Sequence, residues 1–257
     1  MLCGLRKEGG QKVFASSSEK AHGPFVCINC GQELILKKGR IKIHYFSHKP
    51  PHKCSHGSGE SEAHRKCKIS IFNSLSNFSN IKELAVEVKF NTVIADIYCL
   101  IDNVPVAIEI QKSNLSVNEI TQRTEAYHKL GIYVIWVGIY NEKLSESKYS
   151  TKAWEKWCHA VYFGRVYYWK YDSIIIPVHF SEYQLYVEAS SWYDEFGEEQ
   201  SAGGYYKSSK RYKTPCFGNE LNLANDFTPR LKQSWSRGSV YVPQCTIFAD
   251  RKQKWWA

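Results

Sequence analysis

Apolar residues recur at helical spacing between residues 60 and 78. The stripe has four positions spaced by four residues and two that widen it: Ala63, Cys67, Ile71, Leu75, Ile69 and Phe72. This spacing predicts an amphipathic helix, called helix A, that packs one face on a core. It follows the turn-forming run His56-Gly57-Ser58-Gly59, which predicts a loop before the helix.

Three runs rich in β-branched residues follow helix A. They cover residues 84–90, 93–101 and 104–111 and are separated by Asn91 and by Asp102-Asn103. Runs of this composition predict β-strands, and two polar residues between the last two runs predict a hairpin with a tight turn. In such a hairpin, residues whose numbers sum to 205 pair across the strands.

A second helix and a buried strand are predicted after the hairpin. Ser116 and Glu119 have the spacing of a capping box, so helix B starts there and continues to Leu130, with Gly131 as its C-terminal cap. The apolar run 132–137 predicts a strand that is parallel to its predecessor if the crossover is right-handed. The order of elements is therefore α-β-β-β-α-β.

The regions on either side of this core differ from it in composition. Turn signals at Gly9-Gly10 and Gly23-Pro24 predict a small β-hairpin in an N-terminal segment too short for a core of its own. Beyond residue 150 the chain is rich in aromatic residues, and residues 201–213 have the composition of a flexible loop. We predict three units: an N-terminal module (1–58), an α/β core (59–140) and an α+β extension (141–257).

The composition indicates a soluble protein of the cytoplasm. No apolar stretch approaches the roughly 18 residues that a membrane-spanning helix requires, so we expect no membrane partner. The first residues also lack the pattern of a secretory signal. Nine cysteines in a reducing compartment would not persist as disulfides, so some of them are expected to bind metal.

Positive charge is concentrated at both ends of the chain. The formal net charge is +9, with ten Lys/Arg against three Asp/Glu in residues 1–59 and the same numbers in residues 203–257. A basic excess favours a polyanionic partner such as DNA, because neutralising phosphates releases counterions. A charged surface that only maintains solubility would explain the same numbers.

The hairpin register predicts a pair of facing carboxylates. Asp96 and Glu109 sum to 205, which places them opposite each other on an apolar sheet. Two carboxylates about 5 Å apart repel and resist burial, so a divalent cation between them is expected. Gln111 shares the face of Glu109, and this oxygen-rich ligand set suits Mg²⁺ or Mn²⁺.

Helix A offers three further polar groups to the same place. Glu60, His64 and Lys68 are spaced by four residues and share one face. Glu60 could bind a cation, and His64 could bind a phosphate or transfer a proton. A solvated helix face is the alternative interpretation of this pattern.

Cysteines and histidines in the N-terminal segment predict a zinc site. Cys27-x-x-Cys30 followed by Gly31 is half of a zinc knuckle, and the other half can come from His44, His48, His52, Cys54 and His56. We favour Cys27, Cys30, His48 and Cys54, with His44 as the main substitute. A reduced CxxC without metal is the alternative. The remaining cysteines are too far apart in sequence to form a second site.

Several motifs in residues 1–140 together resemble a known family. They are Cys27-Ile28-Asn29-Cys30-Gly31, the run His44-Tyr45-Phe46-Ser47-His48, Cys54, Glu60 with His64 and Lys68, Ala95-Asp96-Ile97, Glu109-Ile110-Gln111-Lys112-Ser113, and Glu119, Arg123 and Tyr127. In this combination the chain resembles the competence protein CoiA-like family. Members of that family join a CxxCG zinc module to a restriction-endonuclease-like PD-(D/E)XK core.

The resemblance implies a role for each matching residue. Asp96 and Glu109 resemble the metal-binding acidic pair of the superfamily, with Gln111 where lysine is more common, and Glu60 resembles its helix-A glutamate. The residues that resemble nucleic-acid contacts are Lys68, Lys112 and Arg123, although Arg123 could instead form a surface ion pair with Glu119. Two features depart from the family pattern: His44 and His48 are four residues apart rather than three, and no arginine precedes Ala95-Asp96.

These observations predict a Mg²⁺- or Mn²⁺-dependent endodeoxyribonuclease with a structural zinc ion. Its context would be DNA processing in competence and recombination, or anti-phage defence. One alternative is a nucleic-acid-binding accessory protein without catalytic activity. Another is the nuclease subunit of a defence complex, activated by a protein that binds the C-terminal region.

Overall fold

The computed structural model describes residues 1–111, 115–238, 240–251 and 254–256. Lys112, one of the predicted nucleic-acid contacts, lies outside the described residues. Within those ranges, no helix is both long enough and apolar enough to cross a membrane.

Five short strands form an antiparallel sheet near the N-terminus, in the order β2-β1-β3-β4-β5. They are β1 Cys3–Arg6, β2 Lys12–Phe14, β3 Phe25–Val26, β4 Glu33–Lys37 and β5 Tyr45–His48, with a 3-10 helix at Lys20–His22. The buried apolar residues on this sheet form a small cluster: Met1, Ala15, Phe25, Cys27, Leu34, Leu36 and Phe46. A cluster of this size buries little apolar surface, so the sheet requires further stabilisation.

The predicted α-β-β-β-α-β order is present in the structure. Its elements are α1 Glu62–Leu75, β6 Ile81–Phe90, β7 Val93–Ile101, β8 Val104–Gln111, α2 Val117–Lys129 and β9 Tyr133–Ile139. The two helices are slightly shorter than predicted, and β6 and β9 are longer. On α1, the buried apolar residues Cys67, Ile71 and Leu75 belong to the predicted stripe.

A two-residue turn determines the register between β7 and β8. Asp102 and Asn103 have φ values of 50° and 64°, the left-handed conformation that a tight hairpin turn requires. The strands pair from Ile101 with Val104 to Ile97 with Ile108, so the predicted sum of 205 is confirmed. Ile97 and Ile108 are the last paired residues, one position before Asp96 and Glu109.

Helix α2 and strand β9 also follow the prediction. The Ser116 side chain accepts a hydrogen bond from the Glu119 backbone at 3.2 Å, and the Glu119 carboxylate accepts one from the Ser116 backbone at 3.1 Å. This reciprocal pair is the predicted capping box. Gly131 has a φ of 70°, which suits a helix C-terminus, and β9 pairs in parallel with β8.

The C-terminal residues extend the same sheet. After a 3-10 helix at Glu142–Ser145 come β10 Tyr149–Ser150, α3 Ala153–Val161, β11 Val166–Tyr171, β12 Ile174–Val187, β13 Ser190–Tyr193, β14 Glu199–Ala202, β15 Tyr205–Phe217, β16 Leu221–Asn222, β17 Phe227–Lys232, β18 Trp235–Arg237, β19 Val240–Val242 and β20 Cys245–Asp250. Strand β11 pairs in parallel with β9, which produces a mixed sheet of eleven strands. Sheet and apolar core continue past residue 140, and the three predicted units stay a prediction.

The prediction of a flexible loop at residues 201–213 is wrong. Most of this segment belongs to β15, which pairs with β12 from Tyr205 opposite Val187 to Phe217 opposite Val178. Small and basic residues resemble a loop in composition, but a long antiparallel partner supplies the backbone hydrogen bonds that make the segment a strand.

Candidate active site and metal centre

A cleft of about 470 Å³ opens beside the N-terminal end of α1. Its walls come from residues 55–61, from α1, from the ends of β7 and β8 that lie away from their turn, and from α2. It contains most of the predicted site residues: Glu60, His64, Lys68, Asp96, Gln111 and Arg123. Residues far apart in sequence therefore meet in one concave site.

Asp96 occupies the point where the pairing of β7 and β8 ends. Its Oδ2 accepts a hydrogen bond from the Ile110 backbone at 3.0 Å and lies 3.1 Å from Nε2 of His64. The carboxylate thus replaces a strand hydrogen bond and turns towards α1. Burial alone would raise the pKa of Asp96, but His64 and Lys68 outweigh it and hold that pKa well below its usual value.

Three candidate ligands meet at this point. Glu60, His64 and Asp96 each place one ligand atom within 4.8 Å of the others. Glu60 directly precedes Ser61, whose side chain accepts a hydrogen bond from the His64 backbone and caps α1. The cap therefore holds Glu60 and His64 on the side of Asp96. Two carboxylates and an imidazole in this arrangement could hold a metal ion.

Lys68 lies behind these ligands and is only 2% exposed. Its Nζ is 2.7 Å from Oε1 of Glu87 and 3.4 Å from Oδ1 of Asp96, and it also forms an ion pair with Glu60. Burial disfavours the ammonium charge, but the three carboxylates outweigh this and raise the pKa of Lys68. Lys68 therefore holds the acidic residues together, and its predicted contact with nucleic acid stays a prediction.

Glu87 is a further site residue that no sequence pattern singled out, and it is 1% exposed. Its carboxylate accepts hydrogen bonds from the backbones of Leu2 at 2.7 Å and Cys3 at 2.9 Å. Burial would raise the pKa of Glu87, but Lys68 and these donors lower it to about 2. The only sequence feature that could have indicated its role is that it is the single acidic residue of the predicted strand 84–90.

Glu109 is completely buried and has two donors from α2. Nη2 of Arg123 lies 2.5 Å from its Oε2, and the Tyr127 hydroxyl donates to its Oε1. It is not among the residues whose ligand atoms meet with those of Asp96. Burial raises the pKa of Glu109 to about 7, Arg123 opposes this, and the charge of Asp96 adds to it.

This raised pKa predicts a pH-dependent stability. The proton on Glu109 is held more tightly in the folded than in the unfolded chain, so its contribution is lost as pH rises from about 4.5 to about 7. Glu109→Gln removes the titration. Relative to wild type, the free energy of unfolding of this variant should therefore rise by about 2 kcal/mol between about pH 5.5 and about pH 8. Urea denaturation at both pH values measures this, and a constant difference would contradict it.

Arg123 and Gln111 lie at the other side of the cleft. Arg123 donates to the Ile94 carbonyl at 3.2 Å, and its guanidinium lies 5.1 Å from the centre of the Trp136 ring. Arg123 forms its ion pair with Glu109 and not with Glu119, whose carboxylate accepts a hydrogen bond from Ser116 in the cap of α2. The Arg123 side chain stays 33% exposed, so a ligand in the cleft can reach it. Gln111 is 8% exposed and lines the cleft.

The predicted cysteine and histidine ligands form a second cluster. Cys27, Cys30, His48 and Cys54 each place one ligand atom within 4.8 Å of the others, so they could hold a metal ion. The CxxC turn closes through a hydrogen bond from the Gly31 backbone to the Cys27 carbonyl, and Gly31 has a φ of 71°. His44 is not part of the cluster; its ring contacts the Gly39 carbonyl at 3.2 Å.

Asn29 supports the sulfur atoms of this cluster. Its backbone donates to Sγ of Cys27 at 3.3 Å, and its side-chain amide donates to Sγ of Cys54 at 3.5 Å. Burial alone would raise the pKa of Cys54, but hydrogen bonds from Asn29 and from the His56 backbone outweigh it and lower that pKa. Donors directed at sulfur favour thiolates, the form that binds metal. Asn29 also lines the cleft, so the two sites share a wall.

Comparison with protein families gives two matches. Residues 60–185 match competence protein CoiA, nuclease-like domain, and residues 11–57 match competence protein CoiA, N-terminal domain. Comparison with curated proteins and with solved structures gives no significant match. The nuclease-like match contains every cleft residue from Glu60 to Arg123, and the N-terminal match contains all four members of the cysteine and histidine cluster.

Proposed function

Because the chain belongs to the competence protein CoiA-like family, we propose that it is a metal-dependent nuclease that hydrolyses DNA phosphodiester bonds. The observation that carries the proposal is the meeting of Glu60, His64 and Asp96 within 4.8 Å in a cleft. Lys68 offsets part of the repulsion between the two carboxylates, and a divalent cation bound in the cleft would offset the rest. The α-β-β-β-α-β order supports a PD-(D/E)XK core.

Mg²⁺ or Mn²⁺ is the proposed cofactor, with Glu60 and Asp96 as its carboxylate ligands. When bound, such an ion lowers the pKa of a coordinated water and stabilises the charge that develops on the phosphate. Glu109 is the third proposed ligand. Since Arg123 and Tyr127 donate to its two oxygens, it can bind an ion only after releasing one of them.

The residues around the acids have distinct roles in this proposal. Arg123, held by Glu109 and by the Ile94 carbonyl, has a partly exposed guanidinium that can contact a substrate phosphate. His64 is 20% exposed and can donate or accept a proton at Nε2. Lys68 keeps Glu60 and Asp96 ionised and close together. Gln111 would contribute an amide where related nucleases have an ammonium group.

The second cluster is proposed to bind a structural Zn²⁺ ion. Three thiols and one imidazole are a common tetrahedral zinc set, and the hydrogen bonds from Asn29 suit thiolate ligands. The ion would join the CxxC turn to His48 at the end of β5 and to Cys54. This link would supply stability that the small core of the N-terminal sheet lacks.

Cleavage assays test the proposed activity directly. Purified protein is incubated with plasmid, linear duplex and single-stranded DNA, in Mg²⁺, in Mn²⁺ and in EDTA. We expect cleavage of at least one substrate with a divalent ion and none in EDTA. Binding to DNA without cleavage under any divalent ion would refute the enzymatic proposal.

One observation favours a second candidate function, a nucleic-acid-binding accessory protein without catalysis. Each acid proposed to bind the catalytic metal already has a cationic partner within the chain: Lys68 contacts Glu60 and Asp96, and Arg123 contacts Glu109. A site neutralised in this way can be stable without metal. The same neutralisation would suit a nuclease subunit that a partner protein activates, in competence or in anti-phage defence.

A further inference from the structure

An exposed aromatic hairpin follows β12, leads into β15 and forms a separate two-stranded sheet. We call residues 188–206 the arm; it contains β13 and β14, which pair from Ser190 opposite Ala202 to Tyr193 opposite Glu199. Its large side chains are strongly exposed: Trp192 50%, Tyr193 73%, Phe196 85%, Tyr205 54% and Tyr206 70%. Aromatic residues concentrated at one exposed place on a soluble protein mark an interaction surface.

The tip of the arm is an ordered turn. Oδ1 of Asp194 accepts hydrogen bonds from the backbones of Phe196 at 2.9 Å and Glu198 at 3.0 Å. The Gln200 side chain donates to the other oxygen of Asp194 at 2.9 Å. Phe196 therefore projects from a fixed turn, which reduces the entropy cost of its docking into a partner.

The charge of the arm is opposite to that of the whole chain. It contains five acidic residues and no Lys or Arg: Glu188, Asp194, Glu195, Glu198 and Glu199. The chain has a formal net charge of +9, so the rest of the protein is strongly basic. Five acids repel a nucleic acid, and a basic protein surface with apolar contacts is the complementary partner.

A surface of that chemistry is present on this chain. We call it the basic face; its exposed or partly exposed residues are Phe163, Arg230 and Lys232. Lys232 and Arg230 lie over the Phe163 ring, at 4.5 and 5.8 Å from its centre. Residues 227–249 contain three basic residues and no acidic residue. The basic face thus combines two positive charges with the exposed Phe163 ring.

We propose that two copies of this chain associate by docking the arm of each copy on the basic face of the other. Two reciprocal contacts close a twofold dimer and leave neither surface unpaired. Aromatic side chains such as Trp192 and Phe196 would be the anchors, and acids such as Glu195 and Glu198 would pair with Arg230 and Lys232. The arm lies beyond residue 185, where the nuclease-like match ends, and neither the arm nor the basic face contributes a residue to the proposed catalytic cleft.

Size-exclusion chromatography with light scattering tests the dimer on the full chain. Wild type should dimerise with a dissociation constant that increases with salt. The double variant Trp192→Ser/Phe196→Ser should weaken the dimer at least about tenfold. Ile41→Ser is the matched control, because Ile41 is 95% exposed and lies outside both surfaces. A wild-type monomer at every soluble concentration, or a dimer that the double variant leaves unchanged, overturns the proposal.

Charge reversal then tests which surface receives the arm. Glu195→Lys/Glu198→Lys and Arg230→Glu/Lys232→Glu should each weaken the dimer alone. In a mixture of the two variants, the acidic arm of one can dock on the basic face of the other, and the two charge-reversed surfaces also attract each other. The mixture should therefore form a one-to-one heterodimer. Failure of the mixture to associate, although both variants are folded by circular dichroism, contradicts docking on the basic face.

Discussion

Asp96→Asn is expected to reduce the rate of DNA cleavage at least about a hundredfold. Substituting a residue that only contacts a metal ligand commonly costs about 10- to 100-fold, so substituting a proposed ligand itself should cost at least as much. Asparagine has nearly the same shape and can still accept the hydrogen bond from the Ile110 backbone. The variant removes the negative charge that His64 and Lys68 contact. Glu60 would then be the remaining anion of the three meeting ligands.

The rate of plasmid cleavage in Mg²⁺ and Mn²⁺, with thermal unfolding as a check of the fold, measures this effect. Asp102→Asn is the matched control from the same hairpin. Asp102 is exposed in the turn and has a φ of 50°, a conformation that asparagine also adopts. Cleavage at the wild-type rate by Asp96→Asn would exclude Asp96 from the proposed site.

Cys30→Ser is expected to remove one equivalent of bound zinc and to unfold the N-terminal sheet. Structural zinc contributes about 10–16 kcal/mol of binding free energy in small domains. Leu2 and Cys3 anchor the first strand on the main core, but the part of the sheet beside the CxxC turn has only its small apolar cluster to replace the zinc. Cys30 is exposed, so the substitution itself disturbs little packing. Zinc content by mass spectrometry and limited proteolysis within residues 1–58 measure the two effects.

Cys216→Ser provides the control for this experiment. Cys216 is half-buried, contacts Oγ of Ser181 at 3.2 Å and is not part of the cluster. It should retain the zinc content and the protease resistance of wild type. Full zinc content in Cys30→Ser would show that the four residues do not form the zinc site. EDTA should reproduce the effect of Cys30→Ser on wild type without any substitution.

Local patterns in the sequence were sufficient to predict the helices, strands and hairpin turn of the core. Asp102-Asn103 determines its own turn and thereby the register of β7 and β8, because a two-residue loop leaves no other pairing. Ser116 and Glu119 cap α2 within four residues, and the CxxC turn needs only Gly31 beside it. Signals of this kind act over a few positions, so the sequence displays them directly.

The tertiary structure decided which charged groups meet. Glu87 binds the backbones of Leu2 and Cys3, more than eighty residues away, and no local pattern indicates such a partner. The predicted cation between Asp96 and Glu109 assumed that both acids turn to the same place. In the structure Asp96 contacts His64 on α1 and Glu109 binds Arg123 and Tyr127 on α2, so Glu109 can share a cation with Asp96 only after releasing one of these donors.

The sequence by itself determined the order of elements in the core and the hairpin register, because spacing along the chain encodes them. It favoured Cys27, Cys30, His48 and Cys54, and the tertiary structure brought these four together without His44. Only the tertiary structure decided that Lys68 is enclosed by Glu60, Glu87 and Asp96, and that residues 205–217 form a strand. These outcomes depend on packing between distant segments. Burial strengthens ionic contacts and removes competing water, so the partners available after folding determine them.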